Sequence, residues 1–205
     1  MPRVAVVTPA LLLAFVGFAF VSSITPGPNN TMLLASGVNY GFRRTMPHIA
    51  GISLGCMVML LLVGLGLGQA FAAVPLLYSA LRYTGAAYLL WLAWKIATAG
   101  ALTVQGASDG HPLTFWQAAA FQWVNPKAWI MVVGAASTYA PRDQFERNVI
   151  VLALLLGLVN APSICVWAGF GTALRPWLSH PGRVRVFNVV MALLLVLSLL
   201  PMLEG

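Results

Sequence analysis

Between Ala10 and Val38 the chain is apolar for long enough to cross a membrane, yet Thr25-Pro26-Gly27-Pro28-Asn29-Asn30 cuts the stretch in two. Two prolines and a glycine remove backbone donors and forbid a regular helix through the middle. In hydrocarbon, backbone freed from a helix is tolerated only where it is buried in protein or lines a polar cavity. Broken helices of this kind are where secondary transporters place their substrate. The interruption therefore limits both what the segment folds into and where its function lies.

The rest of the chain repeats the apolar pattern. Of 205 residues 60% are hydrophobic and 7% charged, against roughly 25% charged in a soluble domain, and the mean hydropathy is +0.88. Six spans are predicted: about Ala10–Val38 with the break inside, His48–Gly68, Leu76–Ile96, Phe115–Tyr139, Val149–Phe170 and Val186–Leu203. The predicted fold is an all-α integral membrane protein, a single transporter domain over 1–205. The Arg3-led N-terminus imitates a signal peptide, but the apolar pattern resumes at Thr31, which predicts a retained first helix. The most polar connection runs from Thr98 to Thr114.

The net charge of +7 comes from basic residues scattered as singles and pairs, so no basic face would track phosphates and nucleic acid is excluded. Placed by the positive-inside rule, Arg43, Arg44, Lys95, Arg175, Arg183 and Arg185 fall on one side and Arg3, Arg82, Arg142 and Arg147 on the other. The bias predicts both termini outside. Cys56 and Cys165 lie in apolar spans without a CxxC or neighbouring ligands, which reads as two small buried hydrophobes.

A second break, Asn125-Pro126-Lys127, interrupts the fourth span about a hundred positions after the first. Three spans per half make the second half run in the opposite sense, so the prediction is two inverted repeats, about 1–98 and 114–205, with broken helices one and four. Pro26, Pro28 and Pro126 free the carbonyls of Ser22, Ile24 and Gln122. Each break also starts a half-helix whose N-terminal amides suit a carboxylate. The freed carbonyls and the side-chain oxygens of Asn29, Asn30 and Asn125 suit an ammonium. Together those needs describe the backbone of a free amino acid.

Lys127 is the one basic residue placed well inside the membrane, where a charge costs at least about 2.5–3.5 kcal/mol and usually marks function. It reads as a carboxylate anchor or a proton carrier, the alternative being a lysine that snorkels to an interface or is held structurally by helix-end carbonyls. Asp109, Asp143, Glu146 and Glu204 all fall in loops or at the end, so a pathway of hard oxygen ligands for a metal ion has no carboxylates to use. Coupling to a proton or another counter-ion would have to run through Lys127, His48, the substrate or water. Asn160 and Pro162, in the middle of the fifth span, are candidates to line the cavity or to form a local kink. His48, after Pro47 at an inner helix end, reads as structural or interfacial. Gly51 and Gly55 form a GxxxG that serves packing within the chain or a homodimer equally. No nucleophile-base set, paired carboxylate, phosphate loop or cofactor motif is present in the sequence, so no enzyme and no cofactor is expected.

The run Thr25-Pro-Gly-Pro-Asn-Asn30, with Gly41-Phe-Arg-Arg44 and Ala50-Gly-Ile-Ser-Leu-Gly55, resembles the opening of the LysE/RhtB family of amino-acid exporters. Gly85-Ala-Ala-Tyr-Leu-Leu-Trp-Leu-Ala-Trp-Lys95 resembles that family's third span, and Asn125-Pro126-Lys127 the motif of its fourth. The resemblance implies a six-span carrier exporting amino acids or derivatives across the bacterial inner membrane. Trp91-Leu-Ala-Trp-Lys-Ile-Ala-Thr98 and Phe115-Trp116 look most like the cysteine/O-acetylserine exporter branch, with threonine, homoserine and homoserine lactone left open. It places Pro26, Gly27, Pro28, Asn29, Asn30, Asn125, Pro126 and Lys127 at the substrate, held between two facing breaks. An ion or metal exporter of the same plan and a non-transporting membrane protein are the competing readings.

Overall fold

The structure is a computed structural model and describes residues 8–67, 75–98, 111–178 and 180–197. Arg3, Asp109, Glu204, most of the Thr98–Thr114 connection and the predicted span ends at Gly68 and Leu203 lie outside them. The described residues form helices and connections, with no strand among them.

The first helix, α1 (Pro9–Ile24), starts at Thr8, whose hydroxyl accepts from the Leu11 amide, and has proline at its first position. It stops at Thr25, which is extended. The chain stays extended through Gly27 and re-enters a helix at Pro28 to form α2 (Pro28–Tyr40), bent by 55° from α1. Pro9 and Pro28 each sit at a helix start, where the missing N–H is least costly, and Pro26 lies in the break itself.

Gly41 follows with φ +83, a conformation that favours glycine. It reverses the chain so sharply that α3 (Phe42–Leu62) begins at the next residue. The second span thus opens six residues before the predicted His48, with Pro47 inside it. A π turn over Val63–Leu67 extends α3.

The third segment is α4 (Pro75–Ala97). The fourth is split as predicted. α5 (Phe115–Phe121) is closed at its start by a capping box between Thr114 and Gln117. A 3-10 turn follows over Gln122–Val124, then extended Asn125, then α6 (Pro126–Tyr139). α7 (Phe145–Leu174) runs unbroken through Pro162, and α8 (Pro181–Leu197) completes the set.

α3 with its π turn and α7 are each long and apolar enough to cross a membrane, and the bent pair α1–α2 qualifies as one broken span. At 1.5 Å per residue α7 is about 45 Å long and exceeds the roughly 30 Å hydrocarbon core. This is an all-α, multi-pass membrane protein.

The main core gathers Phe15, Leu33, Ile52, Met59, Leu60, Leu152, Leu156 and Ile164 from α1, α2, α3 and α7. A smaller cluster joins Leu89 and Leu92 of α4 to Leu195 of α8. α7 packs on the broken first span and α3 on the broken fourth; α3 also packs on α7, and α4 on α8. Exchanging the first three segments for the last three leaves these pairings unchanged.

Where α2 meets α7 the backbones touch. A Cβ on Gly37 would stand 2.2 Å from the Ala168 carbonyl oxygen, and one on Gly171 2.2 Å from that of Leu34. Small residues let helices approach closely in a membrane, where dispersion contacts drive their association.

Candidate functional site

The two breaks meet. Lys127, second residue of α6, points its Nζ into the first break and donates to the Thr25 carbonyl at 2.7 Å, the Thr25 hydroxyl at 2.9 Å and the Pro26 carbonyl at 3.2 Å. Three donors thus meet three oxygens on the other half of the chain. A Cβ on Gly27 would lie 2.8 Å from Lys127 Cδ, so the glycine leaves room for the lysine stem.

A second tie lies beside the first. Asn29 Nδ2 donates to Gln122 Oε1 at 2.8 Å, and Gln122 Nε2 donates back to Asn29 Oδ1 at 3.2 Å. Gln122 is fully buried, donates to the Ala118 carbonyl at 2.9 Å, and its Oε1 accepts the Cys56 thiol at 3.5 Å. A third tie links α1, α7 and α3: Asn160 Nδ2 donates to Ser23 Oγ at 2.9 Å, and Ser53 Oγ donates to Asn160 Oδ1 at 3.1 Å. Asn160 is the sixteenth of the 30 residues of α7, so these ties sit at mid-helix.

The carbonyls that the prolines free are not the bare ones. That of Ser22 accepts the Thr25 hydroxyl at 3.3 Å, that of Ile24 the Trp167 indole at 3.0 Å, and that of Gln122 the Asn125 amide at 3.3 Å. The acceptors facing Lys127 belong to Thr25 and Pro26, within the extended residues. The Thr25 carbonyl is shared with Asn30 Nδ2, at 2.7 Å, which also donates to the Ser23 carbonyl. Asn125 Oδ1 caps the Lys127 amide at 3.1 Å. Of the three asparagine oxygens predicted to face an ammonium, only Asn30 Oδ1 is left: it is buried with no partner among the described residues. No side chain caps α2, so its first amides stay open at the break.

One cavity of about 20 Å³ lies among these groups, lined by the polar residues Ser22, Ser23, Asn29, Asn30, Asn125, Lys127 and Asn160 together with Gly27, Cys56, Ala128, Met131 and Ile164. That volume holds a water or two and excludes a whole amino acid.

Asn160 is therefore at the cavity, but Pro162 is not: two residues on, it is exposed on the other side of an unbroken α7. Pro28 and Pro126 act through the backbone, starting α2 and α6. Gln122, Ser23 and Cys56 were not foreseen. An amide within an apolar span was the available signal for Gln122, since such residues rarely face lipid. His48 lies well inside α3, fully buried, and neither ring nitrogen has a partner among the described residues.

Two broken helices joined around a small polar cavity are the arrangement in which secondary transporters place substrate. The chain matches the LysE type translocator family over residues 10–199 and belongs to that family. It is 37% identical to the cysteine/O-acetylserine efflux protein of Escherichia coli (strain K12) over 191 residues, which are 92% of this chain and 95% of the relative. The protein of the same description from Shigella sonnei (strain Ss046) is 37% identical, and that of Escherichia coli O139:H28 (strain E24377A / ETEC) 36% identical, over the same shares. No solved structure matches the chain.

Proposed function

We propose that this protein exports small neutral amino acids or their derivatives from the cytoplasm, binding them where the two breaks meet. Cysteine, O-acetylserine, threonine and homoserine are the substrates to test first. The observation that carries the reading is the Lys127 contact with the Thr25 and Pro26 oxygens, which puts a cation, open helix amides and the carbonyls of the first break in one place. Substrate carboxylate would take the α2 amides and Lys127; substrate ammonium would take the carbonyl and amide oxygens of the first break.

The cavity chemistry agrees with a neutral side chain. No Asp or Glu lines it, and its apolar lining includes Ala128, Ile164 and the soft sulfurs of Cys56 and Met131. The cavity is too small for a whole amino acid, so binding needs the two breaks to part, as alternating access in a bacterial inner membrane with both termini outside would have them do. The relatives' printed names, cysteine/O-acetylserine efflux proteins, support the same substrates.

Cells carrying the protein should resist toxic amino acids or analogues and raise the external level of at least one of the four compounds. Lys127→Met should abolish that export at unchanged membrane abundance. Full export by the variant would remove Lys127 from the site, and no resistance or release with any compound would remove the transport reading.

A further inference from the structure

The contact around Lys127 carries more than an anchor. A lysine waiting for a carboxylate would be expected to project into the cavity. Here its ammonium is turned onto three oxygens of the first break, at 2.7, 2.9 and 3.2 Å, an arrangement as apt for any primary ammonium. We propose that Lys127 is a tethered stand-in for the substrate's own ammonium: it fills that subsite while the carrier is empty, and an arriving amino acid displaces it. This rests on the amino-acid reading of the preceding subsection and adds how the site tells an amino acid from an amine.

Three features make the exchange workable. Thr25 and Pro26 are exposed while Asn30 behind them is buried, so a ligand can reach the oxygens without unpacking a helix. Asn30 Oδ1, buried and unpartnered among the described residues and in the cavity wall, is a further acceptor that Lys127 leaves unused. The lysine stem is a flexible four-carbon chain running past Gly27, so Nζ can retract with no backbone movement.

Charge also balances. The empty site holds one positive charge, that of Lys127. The loaded site holds Lys127 against the substrate carboxylate and the substrate ammonium on the oxygens, again a net of one. Loading a zwitterion therefore adds no net charge at mid-membrane, where unpaired charge is costly. An amine without a carboxylate would have to expel Lys127 and leave two cations side by side.

The expectation is a reversal of preference. Purified wild-type protein in nanodiscs, titrated by calorimetry, should bind cysteine but cysteamine at least about tenfold more weakly, one charge-assisted contact being worth that much. In Lys127→Met, cysteine binding should weaken and cysteamine binding should tighten, by about tenfold, since the subsite is vacated. Lys127→Gln should behave alike and serves if the methionine variant is not monodisperse. Thr25→Val in the Lys127→Met background should undo the gain by removing one oxygen.

Well-folded Lys127 variants that lose cysteine without gaining cysteamine would overturn the stand-in role and leave the anchor role standing. Wild-type protein that binds none of cysteine, O-acetylserine, threonine or homoserine would remove the substrate reading itself, and this one with it.

Discussion

Replacing Gln122 with methionine keeps most of the side-chain volume and removes the amide that ties the two breaks together. The variant loses the reciprocal bonds with Asn29 at 2.8 and 3.2 Å. Hydrogen bonds between membrane helices average about 0.6 kcal/mol and reach about 1.7, so the two contribute about 1.2 kcal/mol. Leaving the half-buried Asn29 amide without a partner adds to that, within the roughly 1–3 kcal/mol that an orphaned polar group costs. The bond to Ala118 lies within one turn of helix and does not distinguish a closed cavity from an open one. If the Asn29–Gln122 pair exists only while the breaks are together, its loss favours the parted arrangement by about 1–3 kcal/mol, or about 5- to 150-fold. Cys56 lines the cavity at 1% exposure and reports on it directly. In a Cys165→Ser background its rate of modification by a small maleimide should follow the open population and rise at least about fivefold in Gln122→Met. Asn29→Leu, which leaves Gln122 beside Cys56, should do the same. Rates within twofold of the parent in both variants, at unchanged abundance, would refute the idea that this pair holds the cavity shut.

Two further substitutions test the packing. Gly171→Ala would put a Cβ 2.2 Å from the Leu34 carbonyl oxygen, where only a separation of α2 from α7 relieves the clash; about 1–3 kcal/mol of overpacking should lower the melting temperature in detergent, and an unchanged melt would contradict the close approach. His48→Leu should leave stability level or raise it by about 1 kcal/mol, because the buried imidazole has no partner among the described residues; marked destabilisation would mean that the ring is held by a contact of its own.

The positions of the breaks were legible because proline acts locally and here stands beside other helix breakers, Gly27 before Pro28 and Asn125 before Pro126, whereas the lone Pro47 and Pro162 stay inside helices. Asn160 was legible as a polar residue in mid-span, and Lys127 as a charge there. What those residues touch was not. Reading the prolines predicts the carbonyls of Ser22, Ile24 and Gln122 as the bare acceptors, yet a hydroxyl, an indole from α7 and a neighbouring amide reach them first. Such partners are set by tertiary approach; Asn29 and Gln122 are 93 residues apart. Pro162 misled because a proline in mid-span suggests a bend into the cavity, while α7 carries it on its exposed face without breaking. Pro47 suggested a helix end at His48, whereas the turn at Gly41 had already begun α3.

The lysine contact also bears on how the chain is made. The first span ends its first helix in backbone oxygens that water satisfies in solution but hydrocarbon does not. Their partner on Lys127 lies 102 positions further along, at synthesis rates of about 5–20 residues per second a delay of about 5–20 s. Until then the nascent first span has to keep its extended residues near water or near the insertion machinery. The two halves of the chain are thus not modules that mature one after the other. A chain released before Asn125 would carry an unfinished first span, and a first half expressed alone should be a substrate for membrane proteolysis rather than half a transporter.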